Sequence, residues 1–267
     1  MSTSSSPPDL AVPELLQLVG HPVRWRLLGE LAHSDRTVQE LTGLIGAPQN
    51  LVSYHLGKLR DAQLVSGQRS AADRRDAYYR LDLVRIGGLL SATGAAIHPG
   101  LRLRMPPELA RELAPVAPPE ASAVARVLFL CTGNSARSQI AEALARARSG
   151  GRVAAFSAGS QPRPIHPHVL RVMREEHGID MSAHSPKHLS QYADQRFDRV
   201  VSLCDVMRET CPTFPGSRAT IHWSIRNPAA ASGDAEAVFG AFQQTANELE
   251  VRIGFLLAEI DDAPIAA

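Results

Sequence analysis

The chain has 267 residues, enough for two ordinary domains at ~100–200 residues each. At 44% hydrophobic and 21% charged residues its composition excludes wholesale disorder, and no apolar run approaches the ~20 residues that cross a bilayer. A net charge of +1 excludes a global pull toward nucleic acid or anionic membrane, so any DNA-binding surface has to be local.

The opening, MSTSSSPPDL, lacks the basic and apolar regions of a secretory signal, which predicts a cytoplasmic protein with no membrane partner. Three cysteines in such a chain read as catalytic thiols or metal ligands rather than as a disulfide scaffold. From Pro13 to Leu90 the pattern is mostly helical, with one short strand pair. His98 to Val124 is interrupted by Pro99, Pro106, Pro107, Pro115, Pro118 and Pro119, around a short helical patch, Glu108 to Leu113. This stretch reads as a semi-rigid linker over 98–124, between domains at 10–97 and 125–262. Beyond Arg126 apolar strands alternate with amphipathic helices, which predicts an α/β domain built on a parallel sheet.

In chain order, Gly20 to Leu28 opens a helix with Val23, Leu27, Leu28 and Leu31 on one face. Thr37 and Glu40 have the spacing of a capping box, and the helix they start ends at Gly46. A further helix follows Pro48. Its Leu51, Val52, Leu56 and Leu59 are expected inward, leaving Gln49, Asn50, Ser53, Tyr54, His55 and Lys58 toward solvent. Two helices joined by a turn, the second with an amide- and hydroxyl-rich face, suit a major-groove reader. Leu64 to Ser66 and Ala77 to Leu81 form a hairpin whose tip carries Arg74 and Arg75, suited to phosphate. Between residues 44 and 80 six Lys/Arg stand against three Asp/Glu, a local excess that the whole-chain charge conceals.

The segments GHPVRWRLLGEL, TVQELTGLIGAPQNLVSYHLGKLRDAQLV and YYRLD resemble the ArsR-type winged-helix repressors, over roughly residues 12 to 90. The resemblance implies a winged helix-turn-helix domain, a homodimer and a palindromic operator DNA. Many arsenic-sensing members carry a cysteine pair in the helix that here reads Glu40 to Leu44. This chain has no cysteine before Cys131, so that As(III) site is absent.

The most informative stretch of the second half is Val127-Leu128-Phe129-Leu130-Cys131-Thr132-Gly133-Asn134-Ser135-Ala136-Arg137-Ser138. An apolar strand ends at a cysteine, and a short loop leads to an arginine at the start of a helix. Backbone N–H groups of Thr132, Gly133, Asn134, Ser135 and Ala136 can form an anion nest, reinforced by the helix N-terminus. Arg137 can fork two donors onto a tetrahedral oxyanion, and Ser138 can donate to the sulfur. The same field favours the thiolate form of Cys131, so nucleophile and oxyanion holder share one turn.

A second apolar strand, Arg199 to Leu203, delivers Cys204 to the same sheet edge, with Cys211 seven residues on. That arrangement permits serial thiol–disulfide exchange. It makes a poor zinc site, having three thiols and no C-x2-C, and no metal is expected.

This half resembles the low-molecular-weight tyrosine phosphatases and, more closely, the thioredoxin-coupled arsenate reductases. The resemblance is carried by CTGNSARSQIAEAL, FSAGS, VVSLCDVMRETCP and IHWSIRNPA. It implies a four-stranded parallel sheet with helices on both faces, arsenate or a phosphate-like oxyanion as ligand, and no tightly bound cofactor. Cys131 would attack arsenate, Cys204 would attack Cys131, and Cys211 would take over the disulfide for thioredoxin or a similar thiol reductant. The chain departs from the pattern at Asn227, which stands before Pro228 where the family has an aspartate as general acid. An amide cannot transfer a proton at neutral pH, and losing a positioned acid costs ~10²–10⁴ in rate. The resulting expectation is a repressor fused to an arsenate reductase. The alternatives are a regulator whose second domain senses oxyanion or As(III) with little turnover, and a tyrosine phosphatase tethered to DNA.

Overall fold

Thr37 caps a helix as its sequence predicts: its Oγ1 accepts from the Glu40 N–H at 3.2 Å, and Glu40 Oε2 accepts from the Thr37 N–H at 2.8 Å. The helix closes at Gly46 in the left-handed conformation (φ 67°). These features belong to a computed structural model that describes residues 13–98, 124–210, 217 and 219–262. Residues 99–123, which hold most of the expected linker and its helical patch, lie outside the described residues, as does Cys211. The described residues divide into two compact units, one of 13–67 and 79–98, the other of 68–78 and 124–262.

The N-terminal elements are α1 (Glu14–Val19), α2 (Pro22–His33), β1 (Arg36–Thr37), α3 (Val38–Ile45), α4 (Gln49–Asp61), β2 (Val65–Arg69), β3 (Ala77–Leu81) and α5 (Leu83–Ile97). The strands lie in the order β1-β3-β2. Helix α2 packs on both α3 and α4, and Leu27, Leu31, Leu41, Ile45, Val52, Leu56 and Leu59 form the core. Helix α4 corrects two expectations. Leu51 was expected inside and is 38% exposed, whereas His55 was expected in solvent and is buried. The cause is helical phase: Val52, His55, Leu56 and Leu59 fall at i, i+3, i+4 and i+7, one continuous stripe, and Leu51 lies outside it.

The C-terminal elements are β4 (Ala125–Cys131), α6 (Arg137–Arg148), β5 (Val153–Gly159), α7 (Pro167–Glu175), β6 (Arg199–Ser202), α8 (Asp205–Thr210), β7 (Thr220–His222) and α9 (Ala235–Asp262). The four strands form one parallel sheet in the order β5-β4-β6-β7, the expected four-stranded α/β architecture. Val127 to Cys131 are all buried, as befits a central strand covered on both faces. Helix α6 packs against β4 and β5, and α9 packs on α6 and α7. The chain leaves β4 toward β5 and returns on the other side at β6. The C-terminal end of β4 is therefore the switch point at which an open α/β sheet binds its ligand. Cys131 is the last residue of β4, in register with Gly159, and Ser202 pairs with Leu130. No helix among the described residues is long and apolar enough to cross a membrane.

Candidate active site

The loop from Cys131 to Arg137 owes its shape to a second segment that sequence reading missed. The Thr132 carbonyl accepts from the Gln161 N–H (2.8 Å), that of Gly133 from Arg163 (2.9 Å) and that of Ser135 from His166 (3.0 Å). Across a trans peptide the N–H points opposite its carbonyl. With those oxygens tied to 161–166, the amides of Gly133, Asn134 and Ala136 are turned the other way, as an anion nest requires. Asn134 takes a positive φ of 43°, the left-handed conformation that asparagine tolerates. Helix α6 begins at Arg137 with no side-chain cap, so its first N–H groups and dipole face the same place.

Gly159 makes the close packing possible. A Cβ there would lie 2.6 Å from the Thr132 oxygen, 2.8 Å from the Asn134 nitrogen and 2.8 Å from the Cys131 oxygen. The sequence signal for this was the glycine in FSAGS, which quotes the residue without saying what it touches.

Cys131 is buried, and its Sγ lies 2.9 Å from Ser138 Oγ. Either atom can be the donor in that hydrogen bond. Asn134 Nδ2 donates to Ser138 Oγ (2.9 Å) and to Ser157 Oγ (2.8 Å). Asn134 Oδ1 accepts from Gln139 Nε2 (3.0 Å) and from the Lys187 N–H (2.7 Å), which fixes the amide orientation. Ser138 accepts from Asn134 and still has its own proton to give to the sulfur.

Arg137 is buried, with Nη1 donating to the carbonyls of Leu203 (3.2 Å) and Ile225 (2.8 Å). Its Nε is buried and has no hydrogen-bond partner within the protein. The guanidinium is thus aimed by the segments after β6 and β7 and retains a desolvated donor for an oxyanion.

Cys204 Sγ lies 3.4 Å from Thr132 Oγ1, so the second thiol sits at the rim of the loop that starts at Cys131. Both are free thiols. Cys211 lies outside the described residues. Asn227 is exposed, and its Oδ1 accepts from the Ala229 N–H (3.3 Å), capping the single turn Pro228–Ala230. Two aspartates near enough in sequence to replace an acid do not fit. Asp205 is buried against His222, Oδ1 to Nε2 3.1 Å. Burial pushes its carboxyl up, but hydrogen bonds led by His222 outweigh that and hold it below the ordinary range, so it carries no proton near neutrality. Asp234 caps α9 through the Ala237 N–H at 2.8 Å. Among the described residues no cluster of three or more His, Cys, Asp or Glu could hold a metal ion.

In the N-terminal unit Gln49, Asn50, Ser53, Tyr54 and Lys58 lie exposed on one side of α4, with the Lys58 ammonium 5.7 Å from the Tyr54 ring centre. His55 does not join them. It packs on His21, with ring centres 4.2 Å apart, and burial, followed by the charges of His21 and Arg24, lowers its pKa. Arg74 and Arg75 are exposed between β2 and β3, and Arg75 is paired with Asp73 at 2.7 Å.

A cysteine and an arginine closing an amide-lined loop at the switch point of a parallel sheet make an arrangement that can hold a tetrahedral oxyanion. Residues 126–264 match the low molecular weight phosphotyrosine protein phosphatase family, and the chain belongs to that family. Residues 21–66 match the bacterial regulatory proteins of the arsR family. The arsenate reductase of Halalkalibacterium halodurans is 35% identical over 127 residues, 48% of this chain and 91% of that protein. The arsenate reductase of Bacillus subtilis is 34% identical over the same length and shares. A solved structure of an arsenate reductase in the phosphate-binding state is 29% identical, covers 51% of this chain and 98% of its own, and superposes with a TM-score of 0.45.

Proposed function

We propose that the chain joins an operator-binding repressor (10–97), through a linker (98–124), to a thiol-dependent arsenate reductase (125–262). The observation that carries the enzymatic reading is the placement of Cys204 Sγ against Thr132, beside the loop that begins at Cys131. Phosphatases of this fold do not require the Cys204/Cys211 pair, which favours the reductase.

In this reading arsenate sits among the amides of 132–137 and the Arg137 guanidinium. The Cys131 thiolate bonds to arsenic and displaces one oxygen, which leaves as water after protonation. Cys204, as a thiolate, attacks Cys131 Sγ. The S–As bond breaks with its electron pair passing to arsenic, which falls from As(V) to As(III) and leaves as arsenite, and a Cys131–Cys204 disulfide forms. Cys211 then attacks Cys204, freeing Cys131, and a dithiol of the thioredoxin class reduces Cys204–Cys211. Asn227 can hydrogen-bond to a departing oxygen but cannot protonate it.

For the N-terminal half, the exposed Gln49, Asn50, Ser53, Tyr54 and Lys58 on α4 support DNA reading in a major groove, with Arg74 and Arg75 at phosphates. A homodimer on a two-fold operator suits this arrangement.

The test is turnover of arsenate with thioredoxin, its reductase and NADPH. Cys204→Ser is expected to abolish turnover, and full retention would refute the relay. Asn227 favours a second reading, in which the domain binds oxyanion or As(III) and reports it to the DNA-binding half with little turnover. That reading expects arsenite or arsenate to release operator DNA from the wild type but not from a triple Cys→Ser variant.

A further inference from the structure

The segment between β2 and β3 carries more than its two arginines. Residues 68–78 belong to the same compact unit as 124–262. Ser70 is buried, and its Oγ accepts from the N–H groups of Ala72 and Asp73, both at 3.1 Å. Its own N–H donates to the Asp76 carbonyl at 3.0 Å. These bonds shape the tip and leave the Ala71 N–H for a partner far away in sequence: it donates to Asp205 Oδ2 at 2.6 Å. Gln68 Nε2 donates to Ser224 Oγ at 3.2 Å, and the Tyr78 ring packs edge-on against His222, with ring centres 4.6 Å apart.

These contacts fall on the two segments that aim Arg137, whose guanidinium donates to the carbonyls of Leu203 and Ile225. Asp205 lies just beyond Leu203, and Ser224 directly precedes Ile225. The Asp205 carboxylate ties the two segments together, accepting from His222 Nε2 at 3.1 Å and from the Ser224 side chain. A buried carboxylate depends on its donors. Residues 68–78 supply one of them directly, through Ala71, and steady another, through Gln68 on Ser224. Arg137 Nε, the buried donor with no partner within the protein, keeps its direction only while both carbonyls keep theirs.

We propose that residues 68–78 are a clamp on the anion site, holding 203–205 and 222–225 together so that Arg137 stays aimed, and that an oxyanion bound at Arg137 in turn firms the tip that presents Arg74 and Arg75. Gln68 and Tyr78 are positioning residues, acting on Arg137 through Ser224, His222 and Asp205. The linkage is reciprocal: whatever the seated tip adds to oxyanion affinity, the oxyanion adds to the seating of the tip. Arg74 and Arg75 are exposed in the seated tip, so one short segment meets the anion site at Ala71 and solvent a few residues on. This role rests on the anion-loop reading of Cys131 and on neither arsenate reduction nor the thiol relay.

The first readout is iodoacetamide labelling of Cys131 in the full chain, followed by peptide mapping, with inorganic phosphate as the protecting ligand. Gln68→Ala and Tyr78→Ala, combined in one variant, are expected to weaken phosphate protection about 3–10-fold, the worth of one or two net hydrogen bonds. Tyr78→Phe, which keeps the ring against His222, is expected to recover most of the loss caused by Tyr78→Ala. Should the double variant fail to fold, Gln68→Ala alone is expected to weaken protection about 2–5-fold. The second readout is amide hydrogen exchange over 68–78, which phosphate is expected to slow in the wild type and not in the double variant. Arg137→Gln, which loses the anion, is expected to lose that slowing too. Slowing that persists in Arg137→Gln would be phosphate held at the tip itself, and it would overturn the linkage, as would no slowing in a wild type whose Cys131 is protected. If phosphate fails to protect the wild type, the anion-loop reading falls. If it protects the wild type and the folded variants alike, only the clamp falls.

Discussion

Gly159→Ala is the sharpest test of how the loop is built. The added methyl would sit 2.6 Å from the Thr132 oxygen and 2.8 Å from two further main-chain atoms, of Asn134 and Cys131. All three belong to the backbone of the anion loop, so no side-chain rotation relieves the overlap. Inserting one methyl into a packed site costs ~1–3 kcal/mol, and a rigid backbone on all sides puts this case near the upper figure. If the loop yields instead, that strain appears in binding, where ~3 kcal/mol corresponds to about 100-fold in affinity. The assay is a thermal melt paired with phosphate titration of Cys131 labelling. Gly133→Ala serves as a control, since its Cβ would meet the Ser135 hydroxyl at 3.1 Å, and a hydroxyl can rotate away. We expect Gly159→Ala to lose stability, phosphate affinity or both by a total near 2–3 kcal/mol, and Gly133→Ala to lose much less. Wild-type stability together with wild-type affinity in Gly159→Ala would mean that the loop does not lie against β5 in this way.

Asn227→Asp is expected to raise arsenate turnover ~10-fold or more by restoring a proton donor, in the NADPH-coupled assay; no gain would mean that the leaving oxygen is protonated elsewhere. Hydrogen bonding from His177, with Arg148 also bound, lowers the Glu250 carboxyl to about 2. Because the folded value lies below the unfolded one near 4.5, its contribution to stability is present above that pH and fades as pH falls toward 2, so Glu250→Gln should flatten the acid side of the stability profile. Tyr54→Ala and Lys58→Ala are each expected to weaken operator binding. Lys58→Ala should lower the salt slope by about one, and their 5.7 Å contact predicts non-additive losses in the double variant, measured by titration at several salt concentrations.

What was legible in the sequence was local. The Thr37 capping box, Gly46 as stop, the strand that ends at Cys131 and the helix that starts at Arg137 are all set by residues within a few positions of one another, and each is found in place. Leu51 and His55 were misassigned because alternate phases of one helical stripe differ by a single residue, and the partner that decides between them, His21, is remote in sequence. Residues 161–166 and Gly159 could not be read from spacing at all. Their contribution is main-chain amides and a missing methyl, neither of which leaves a periodic trace, and both reach the loop through tertiary contact.

In the proposed reading the site departs from the family pattern at one end. The turned amides, the Ser138 hydroxyl beside Cys131 Sγ and an aimed Arg137 are all in place. In the proposed reading the change falls at Asn227, where an aryl phosphate would need a proton for its departing phenoxide. In the relay proposed for arsenate, arsenite is released by attack of Cys204 on sulfur, and the electron pair ends on arsenic instead of on a leaving oxygen. Only the first displacement, of an oxygen that becomes water, feels the lost acid. Asn227 should therefore depress aryl phosphate hydrolysis more than arsenate reduction. Asn227→Asp should then raise the phosphatase rate by the larger factor, and equal gains for the two substrates would place the same protonation step in both.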